Sequence, residues 1–212
     1  MLQSRWLILL LLLVTKTRAA EIQADGAIDT RIGLARKWDV LVHNRSRVRA
    51  KQNDWYDISI IPLFRFQATD TVQLIAGAFL SRLEYPDGWK NVGRPFLAVE
   101  PRLIRKERFA VSSRSAYERF FIFRGADYNR YRQRFRVTRD GLWAPYASAE
   151  GFYTNHGWAT TRYGAGLKRN LGKRDSIEFG YWYETKRFIG PGARHMFLTT
   201  FTVNFQGFAP DL

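Results

Sequence analysis

The sequence has no cysteine, two methionines and only three histidines among its 212 residues. The absence of cysteine excludes disulfide bonds, thiolate metal sites and a thiol nucleophile. His43, His156 and His195 are scattered along the chain without the spacing of metal ligands, so we expect neither a metal nor a cofactor. A phosphate-binding loop, a dinucleotide-binding glycine pattern and internal repeats are also missing from the sequence.

Acidic residues are scarce as well. The chain has 19 Asp and Glu against 34 Lys and Arg, a formal net charge of +15. Such an excess often indicates a nucleic acid or an anionic membrane surface as the partner. Aromatic residues make up 16% of the chain, however, and its start has the pattern of a secretion signal, both of which are unusual for nucleic-acid binders. We therefore expect no nucleic-acid partner.

Long apolar runs are missing after the first twenty residues. Arg5 precedes an unbroken apolar run from Trp6 to Val14, and residues 15–20 provide small side chains for cleavage after Ala19 or Ala20. This pattern is typical of a secretory signal peptide, and the run is far shorter than the roughly 20 residues that span a bilayer. We predict a signal peptide over residues 1–20 and one barrel domain over residues 21–212.

The rest of the chain has an apolar–polar period close to two, which is typical of β-strands. In the last such segment Phe197, Phe201 and Phe205 share one face with Thr199 and Val203. The pattern predicts ten strands, near residues 38–49, 55–67, 71–82, 94–105, 107–120, 128–138, 143–153, 158–169, 175–187 and 195–205. A further strand near residues 26–35 would raise the number towards twelve.

The connections alternate between tight turns and looser loops. Turns are predicted at residues 67–70, 105–106, 139–141 and 170–174, and looser loops at residues 84–91, 125–128 and 189–192. Short turns at one end and longer loops at the other are typical of outer-membrane barrels.

Strands can cross a lipid bilayer only if they close into a barrel, because an open edge would leave backbone amides unpaired. Secretion, strand periodicity and the lack of a second long apolar run therefore predict an all-β fold, a closed antiparallel transmembrane β-barrel of about ten strands (10–12) in the bacterial outer membrane. An even number would place both termini in the periplasm. A soluble periplasmic barrel that binds an anionic ligand is the alternative, although aromatic residues at strand ends such as Trp55 and Trp143 favour a membrane interface.

Several fragments, in this order, resemble the family known as domain of unknown function 2490, a set of uncharacterised bacterial outer-membrane barrels. The resemblance covers most of the mature chain and is carried by Glu100-Pro101-Arg102, Glu118-Arg119, residues 128–134, residues 146–153, residues 162–167 and His195. It implies a barrel and a location in the outer membrane, and it implies no activity.

Alternating charges are the most informative feature of the predicted strands. Arginine on the lipid face of a barrel costs about 2–4 kcal/mol near the bilayer midplane, so these residues are expected to point into the lumen. The predicted lumen charge network consists of Arg102, Arg130, Arg132, Arg134, Arg136, Glu100, Glu118, Glu150, Glu178 and Glu184. Arg45, Arg47 and Arg49 repeat the same alternation. Such a network either plugs a structural barrel or lines a narrow passage for small anionic solutes.

The remaining basic residues are assigned to turns and rims, where Lys51, Arg94 and Lys168 would contact anionic headgroups. The expected partners are outer-membrane lipid and lipopolysaccharide, with the barrel-assembly machinery during biogenesis. A hydrolase at the outer rim is the alternative from a different class, with His156 or His195 as base and Asp87 or Asp127 nearby. No motif joins these residues, so we predict no catalytic residue.

Overall fold

The computed structural model describes residues 21–49, 54–85, 88–155, 157–172, 175–186 and 193–205. The predicted signal peptide, residues 1–20, lies outside these ranges. The strands are β1 (Glu21–Ala35), β2 (Trp38–Arg49), β3 (Asp54–Gln67), β4 (Val72–Tyr85), β5 (Gly88–Lys106), β6 (Phe109–Ile122), β7 (Tyr128–Arg139), β8 (Trp143–Thr154), β9 (Gly157–Leu171), β10 (Asp175–Lys186) and β11 (Ala193–Phe205).

These strands form one closed barrel, in which each strand pairs with its neighbours in the chain and β1 pairs with β11. The predicted all-β closed barrel is confirmed. The described residues form eleven strands, one more than the ten assigned and within the predicted range of 10–12, because the possible strand near residues 26–35 is present as β1. An odd number makes the closing pair parallel, with Glu21 opposite Arg194 and Ile32 opposite Phe205.

The eleventh strand also corrects the expected position of the chain ends. The connections β1–β2, β3–β4, β5–β6, β7–β8 and β9–β10 lie at one end of the barrel, which we call the turn end. The opposite end is called the loop end. β1 starts at the loop end and β11 finishes at the turn end. The expectation that both ends of the mature chain lie on the same side is therefore wrong for the described barrel.

The hairpin between β4 and β5 is longer than expected. We predicted a loose loop over residues 84–91, but the strand pairing continues to Tyr85 and resumes at Gly88. Cation–π contacts from Arg82 to Trp89 and from Lys90 to Tyr85 hold the extension together. As a result β5 starts six residues before the predicted position, and its first half belongs to the barrel wall.

The turn between β5 and β6 is displaced in the opposite direction. It was predicted at residues 105–106 and instead consists of Glu107 and Arg108, flanked by the pair Lys106 and Phe109. Glu107 has a φ of 50°, which is the backbone conformation that two-residue hairpins require.

The two faces of the wall differ in composition. Large apolar side chains are exposed on the outside around the barrel, and we call this set the outer belt: Ile28, Ile60, Leu80, Leu97, Tyr117, Phe135, Tyr163, Phe179 and Phe197. The inside carries charged residues together with an apolar cluster on β3–β6, formed by Ile61, Ile75, Phe79, Phe96, Ala98 and Ala116. The strand period of two produces this separation.

A polar side chain among the outward residues of β7 has three hydrogen bonds to neighbouring side chains. Gln133 donates from Nε2 to Oγ of Ser113 at 2.5 Å, and its Oε1 accepts from Ser115 at 2.6 Å and from Tyr131 at 2.9 Å. Local pairing of this kind lets a polar group face apolar surroundings at little cost.

Two glycines on the inner face make room for a tyrosine. Gly166 pairs with Gly180, and the ring of Tyr146 lies across both. A Cβ at Gly166 would lie 2.5 Å from the Tyr146 hydroxyl and from the carbonyl oxygen of Phe179, and a Cβ at Gly180 would overlap the same hydroxyl.

We expect Gly180→Ala to destabilise the barrel by about 1–3 kcal/mol, because the added methyl group forces Tyr146 out of its position. Gly93→Ala is the control, since a Cβ there would meet nothing nearer than 4.0 Å. The measurement is the temperature at which the folded band disappears in a gel series of samples heated stepwise. Equal temperatures for the two variants would contradict the packing described here.

Candidate functional site in the lumen

The four arginines of β7 lie on its inner face, and each pairs with an acidic residue of another strand. Arg130, Arg132, Arg134 and Arg136 contact Glu118, Glu150, Glu100 and Glu178, at 2.6, 3.0, 3.5 and 3.1 Å respectively. β7 and β10 are not neighbours in the barrel wall, so the pair between Arg136 and Glu178 joins strands that the sheet itself does not connect.

Glu118 is the most enclosed carboxylate of this set, with no exposed surface. Its Oε2 accepts a hydrogen bond from Nε of Arg130 at 2.8 Å. Arg132 approaches Oε1 to 3.6 Å, and Arg94 approaches Oε2 to 3.8 Å. Three arginines, of which Arg130 is the closest, therefore share this buried carboxylate, and Arg132 has a nearer partner in Glu150. Loss of the carboxylate would be costly.

The network continues around the wall to the closing pair of strands. Glu150 lies between Arg132 and Arg162, with 3.2 Å from its Oε2 to Nη1 of Arg162. Arg162 also pairs with Glu184, which in turn lies 3.4 Å from Nη1 of Arg194. Ion pairs thus connect β7, β8, β9, β10 and β11 inside the lumen.

Arg102 is the predicted network residue that stands apart. Its side chain is exposed near the turn end, beside a β-bulge between residues 102 and 104, and it forms no ion pair with the described residues. The bulge and the displaced turn place this part of β5 beyond the charged region of the lumen. The structure therefore does not bring Arg102 together with the other nine predicted residues.

A second charged group lies on β1–β3, where sequence reasoning identified the arginines of residues 45–49 but missed their acidic partners Asp25 and Asp57. Arg47 contacts Asp25 at 2.7 Å, Arg45 contacts Asp57 at 2.6 Å, and Arg47 reaches Asp57 at 3.6 Å. The alternation at residues 45–49 was the available signal for the arginines. Asp25 could not be placed because β1 had not been assigned as a firm strand.

The position predicted for Arg94 was also wrong. It was assigned to a rim, but because β5 starts at Gly88 it lies inside the barrel with 13% of its side chain exposed. Arg114 and Arg162 were missed for another reason: each is the lone arginine on the inner face of its strand, so no alternating run marks it. Lys51 lies outside the described residues.

A cavity of about 750 Å³ occupies the loop half of the lumen. Its arginines are Arg45, Arg47, Arg49, Arg94, Arg130, Arg132, Arg162 and Arg194, and its acidic residues are Asp57, Glu84, Asp127 and Glu184. Glu118 and Glu150 do not line the cavity; they are buried beneath the arginines. The surface of the cavity is therefore more basic than the network as a whole. Such a surface attracts small anions.

The histidines are not arranged as a catalytic group. His195 points outward near the loop end, buried against Tyr181 and Tyr183, and its Nδ1 lies 2.5 Å from the Tyr181 hydroxyl. His43 pairs with Asp29 between β1 and β2. Asp127 follows β6, on another side of the barrel from His195, and His156 and Asp87 lie outside the described residues.

The described residues contain neither a candidate metal site nor a membrane-spanning helix. No group of three or more histidine, aspartate or glutamate side chains could hold a metal ion there. Across the same ranges, the chain forms no helix long and apolar enough to cross a membrane.

Comparison with known proteins gives a family and a fold neighbour. A model of the family described as "Protein of unknown function (DUF2490)" matches residues 23–194. No curated protein matches the sequence. A solved structure described as the NanC porin in a rhombohedral crystal form aligns with a TM-score of 0.49 and 10% sequence identity, over 78% of this chain and 87% of that chain.

Proposed function

The chain belongs to the family of proteins of unknown function DUF2490, as its sequence predicted, and we propose that it is an integral β-barrel of the bacterial outer membrane whose charged lumen has a structural role. The outer belt is the observation that carries the proposal. Leu97, for example, exposes 66% of its surface in the middle of β5. Soluble monomers rarely expose continuous apolar surface of this extent, whereas a lipid bilayer covers it.

The hydrogen-bonded state of Gln133 supports the same environment, because polar groups that face lipid must be satisfied within the protein. In a soluble periplasmic barrel the outer face would instead be polar. The outer belt therefore argues against the soluble alternative. A hydrolase has no comparable support, since His195 and Asp127 lie apart.

The structural role rests on the lumen network. Ion pairs such as Arg136 with Glu178 and Arg134 with Glu100 connect strands that are not adjacent in the wall. Side chains that fill a narrow barrel and bond to one another act as its core. Removal of one member leaves its partners as uncompensated buried charges, which makes the network cooperative.

Passage of small anions is the second candidate function, favoured by the cavity in the loop half. Its arginines outnumber its acidic residues, and a basic vestibule raises the local concentration of anions. In this arrangement the loop end faces the cell exterior and the turn end faces the periplasm. Exposed cations at the turn end, among them Lys37 and Lys106, would then contact phospholipid headgroups.

The partners follow from this location. Outer-membrane lipid and lipopolysaccharide surround the barrel, and the barrel-assembly machinery inserts it after cleavage of the signal peptide near Ala19 or Ala20. Neither a cofactor nor a nucleic acid is needed for the proposed roles.

Conductance across planar bilayers separates the two roles. A passage predicts anion-selective current that falls when Arg132 and Arg134 are both replaced by alanine, because the positive potential of the lumen is reduced. A purely structural barrel conducts nothing before or after this change and loses thermal stability instead. Selectivity is read from the reversal potential in a salt gradient. Cation-selective current from the unmodified protein would contradict the anion passage.

A further inference from the structure

Arg94 has the surroundings of a ligand-binding residue more than those of a structural one. Its guanidinium carbon lies 3.4 Å from the ring centroid of Phe79 and 4.9 Å from that of Phe120. Its Nε finds no hydrogen-bond acceptor among the described residues. The nearest carboxylate oxygen, Oε2 of Glu118, is 3.8 Å away and already accepts from Arg130.

The neighbouring arginines have a carboxylate within hydrogen-bond distance, although Nε of Arg45 is also unpaired. Arg130 donates directly to Glu118, and Arg45 donates to Asp57 at 2.6 Å. Arg94 lies closer to an aromatic ring than either of these arginines does, and its buried Nε has no hydrogen-bond acceptor among the described residues. A guanidinium that rests on an aromatic ring can still donate from its terminal nitrogens to a carboxylate or a phosphate.

The charge around Arg94 is net positive, because Arg94, Arg130 and Arg132 have Glu118 and Glu150 as their carboxylates and Glu150 is shared with Arg162. Arg94, Arg130 and Arg132 converge on the carboxylate of Glu118. These arginines line the cavity and Glu118 lies behind them. A small anion in the cavity would lie beside these three guanidinium groups, and charges attract each other more strongly inside a protein than in bulk water.

The other residues that line the cavity indicate the chemistry of the uncharged part of the ligand. Aromatic side chains line the cavity beside the arginines: Tyr56, Phe79, Tyr85, Phe120, Tyr128 and Phe152. The volume of about 750 Å³ lies within the range of sites that enclose small organic molecules, roughly 300–1,000 Å³. Inorganic ions alone would leave these apolar walls without contacts.

We infer that the cavity binds a small organic anion, a carboxylate or phosphate on an apolar or aromatic body, with Arg94 as the principal contact of the anionic group. The inference rests on the proposed barrel and names the class of solute that its loop end takes up. Arg130 and Arg132 contribute charge from the side of Glu118. Phe79 has two functions here, because it orients Arg94 and forms part of the apolar wall.

The test is isothermal titration calorimetry on the purified full-length barrel in detergent micelles, with phenyl phosphate and benzoate as probes. Both probes are expected to bind, and benzyl alcohol, which has the ring without the charge, is not. Inorganic phosphate is expected to bind at least tenfold more weakly than phenyl phosphate, because it cannot contact the aromatic walls.

Substitutions of Arg94 test whether this residue contacts the anionic group of the probe. Arg94→Gln is expected to weaken phenyl phosphate binding at least tenfold, and Arg94→Lys to weaken it less, because it keeps the charge and loses the planar fork. Arg105→Gln, at an exposed site near the turn end, is the control and is expected to bind as the unmodified protein does. Folding of every variant is checked by the shift in gel mobility between unboiled and boiled samples.

The outcomes separate the site from the barrel. A folded, heat-modifiable protein that binds neither probe, or whose Arg94→Gln and Arg94→Lys variants bind as tightly as the control, overturns the site and leaves the proposed barrel intact. Binding of benzyl alcohol as tight as that of benzoate overturns the role of the anionic group. Absence of heat-modifiability in the unmodified protein overturns the proposed barrel itself.

Discussion

Replacement of Glu118 by alanine is expected to lower the free energy of unfolding by about 3–5 kcal/mol, the range for breaking a buried charge network by removal of one partner. Glu118 is fully buried and is shared by Arg94, Arg130 and Arg132. The variant removes the carboxylate that Arg94 and Arg130 share, while Arg132 keeps its pair with Glu150. The measurement is equilibrium unfolding in urea, followed by tryptophan fluorescence of the barrel in lipid vesicles.

Glu178→Ala is the matched control for this prediction. Glu178 is half-buried, with 26% of its side chain exposed, and its one ion pair in the described residues is with Arg136 at 3.1 Å. We expect it to cost about 1 kcal/mol, because a more accessible pair contributes less. Equal losses for the two variants would show that the network is not organised around Glu118.

Leu97→Arg is expected to destabilise the barrel by about 2–4 kcal/mol, the cost of placing arginine near the midplane on the lipid face of a barrel. Leu97 lies in the middle of β5 and is exposed on the outside. If water surrounds this residue, the same change is a surface substitution and costs within about 0.5 kcal/mol. The prediction therefore depends on the solvent outside the barrel.

Leu142→Arg is the control for position along the barrel. Leu142 is just as exposed, but it lies at the turn end between β7 and β8. Near an interface arginine costs only about 0–1 kcal/mol. Unfolding of both variants in lipid vesicles measures the difference. Similar, small losses at Leu97 and Leu142 would argue for a soluble barrel.

The strand pattern of most of the wall could be predicted because its two faces differ sharply. In β7 the arginines at positions 130–136 alternate with Tyr131, Phe135 and Val137, so the sequence indicates both the strand and its inner face. The predicted bounds of β2 agree with the structure, and those of β7 differ at the end by one residue.

β1 is less evident from the sequence. Its outward side includes Ala24 and Gly26, small residues that weaken the apolar half of the alternation. Backbone pairing with β2 on one side and β11 on the other stabilises this strand. Closure of the barrel is a long-range property, and a local pattern does not contain it.

The candidate site was predictable only in part, for a related reason. A run of arginines marks an inner face, but single residues such as Arg94 and Arg162 become part of the lumen through the register of their strands. The charge of the cavity surface depends on which charged groups face the cavity and which are buried behind them in the wall. That order, with Glu118 beneath the arginines, is set by the packing of several strands together.

The most direct test of the membrane barrel is the gel mobility of the protein in membrane fractions that have been washed with salt and carbonate. We predict that it stays in the outer-membrane fraction and that the unboiled sample runs faster than the boiled one, because a closed barrel resists unfolding by detergent until it is heated. Recovery in the soluble periplasmic fraction, with the same mobility before and after boiling, would contradict the account.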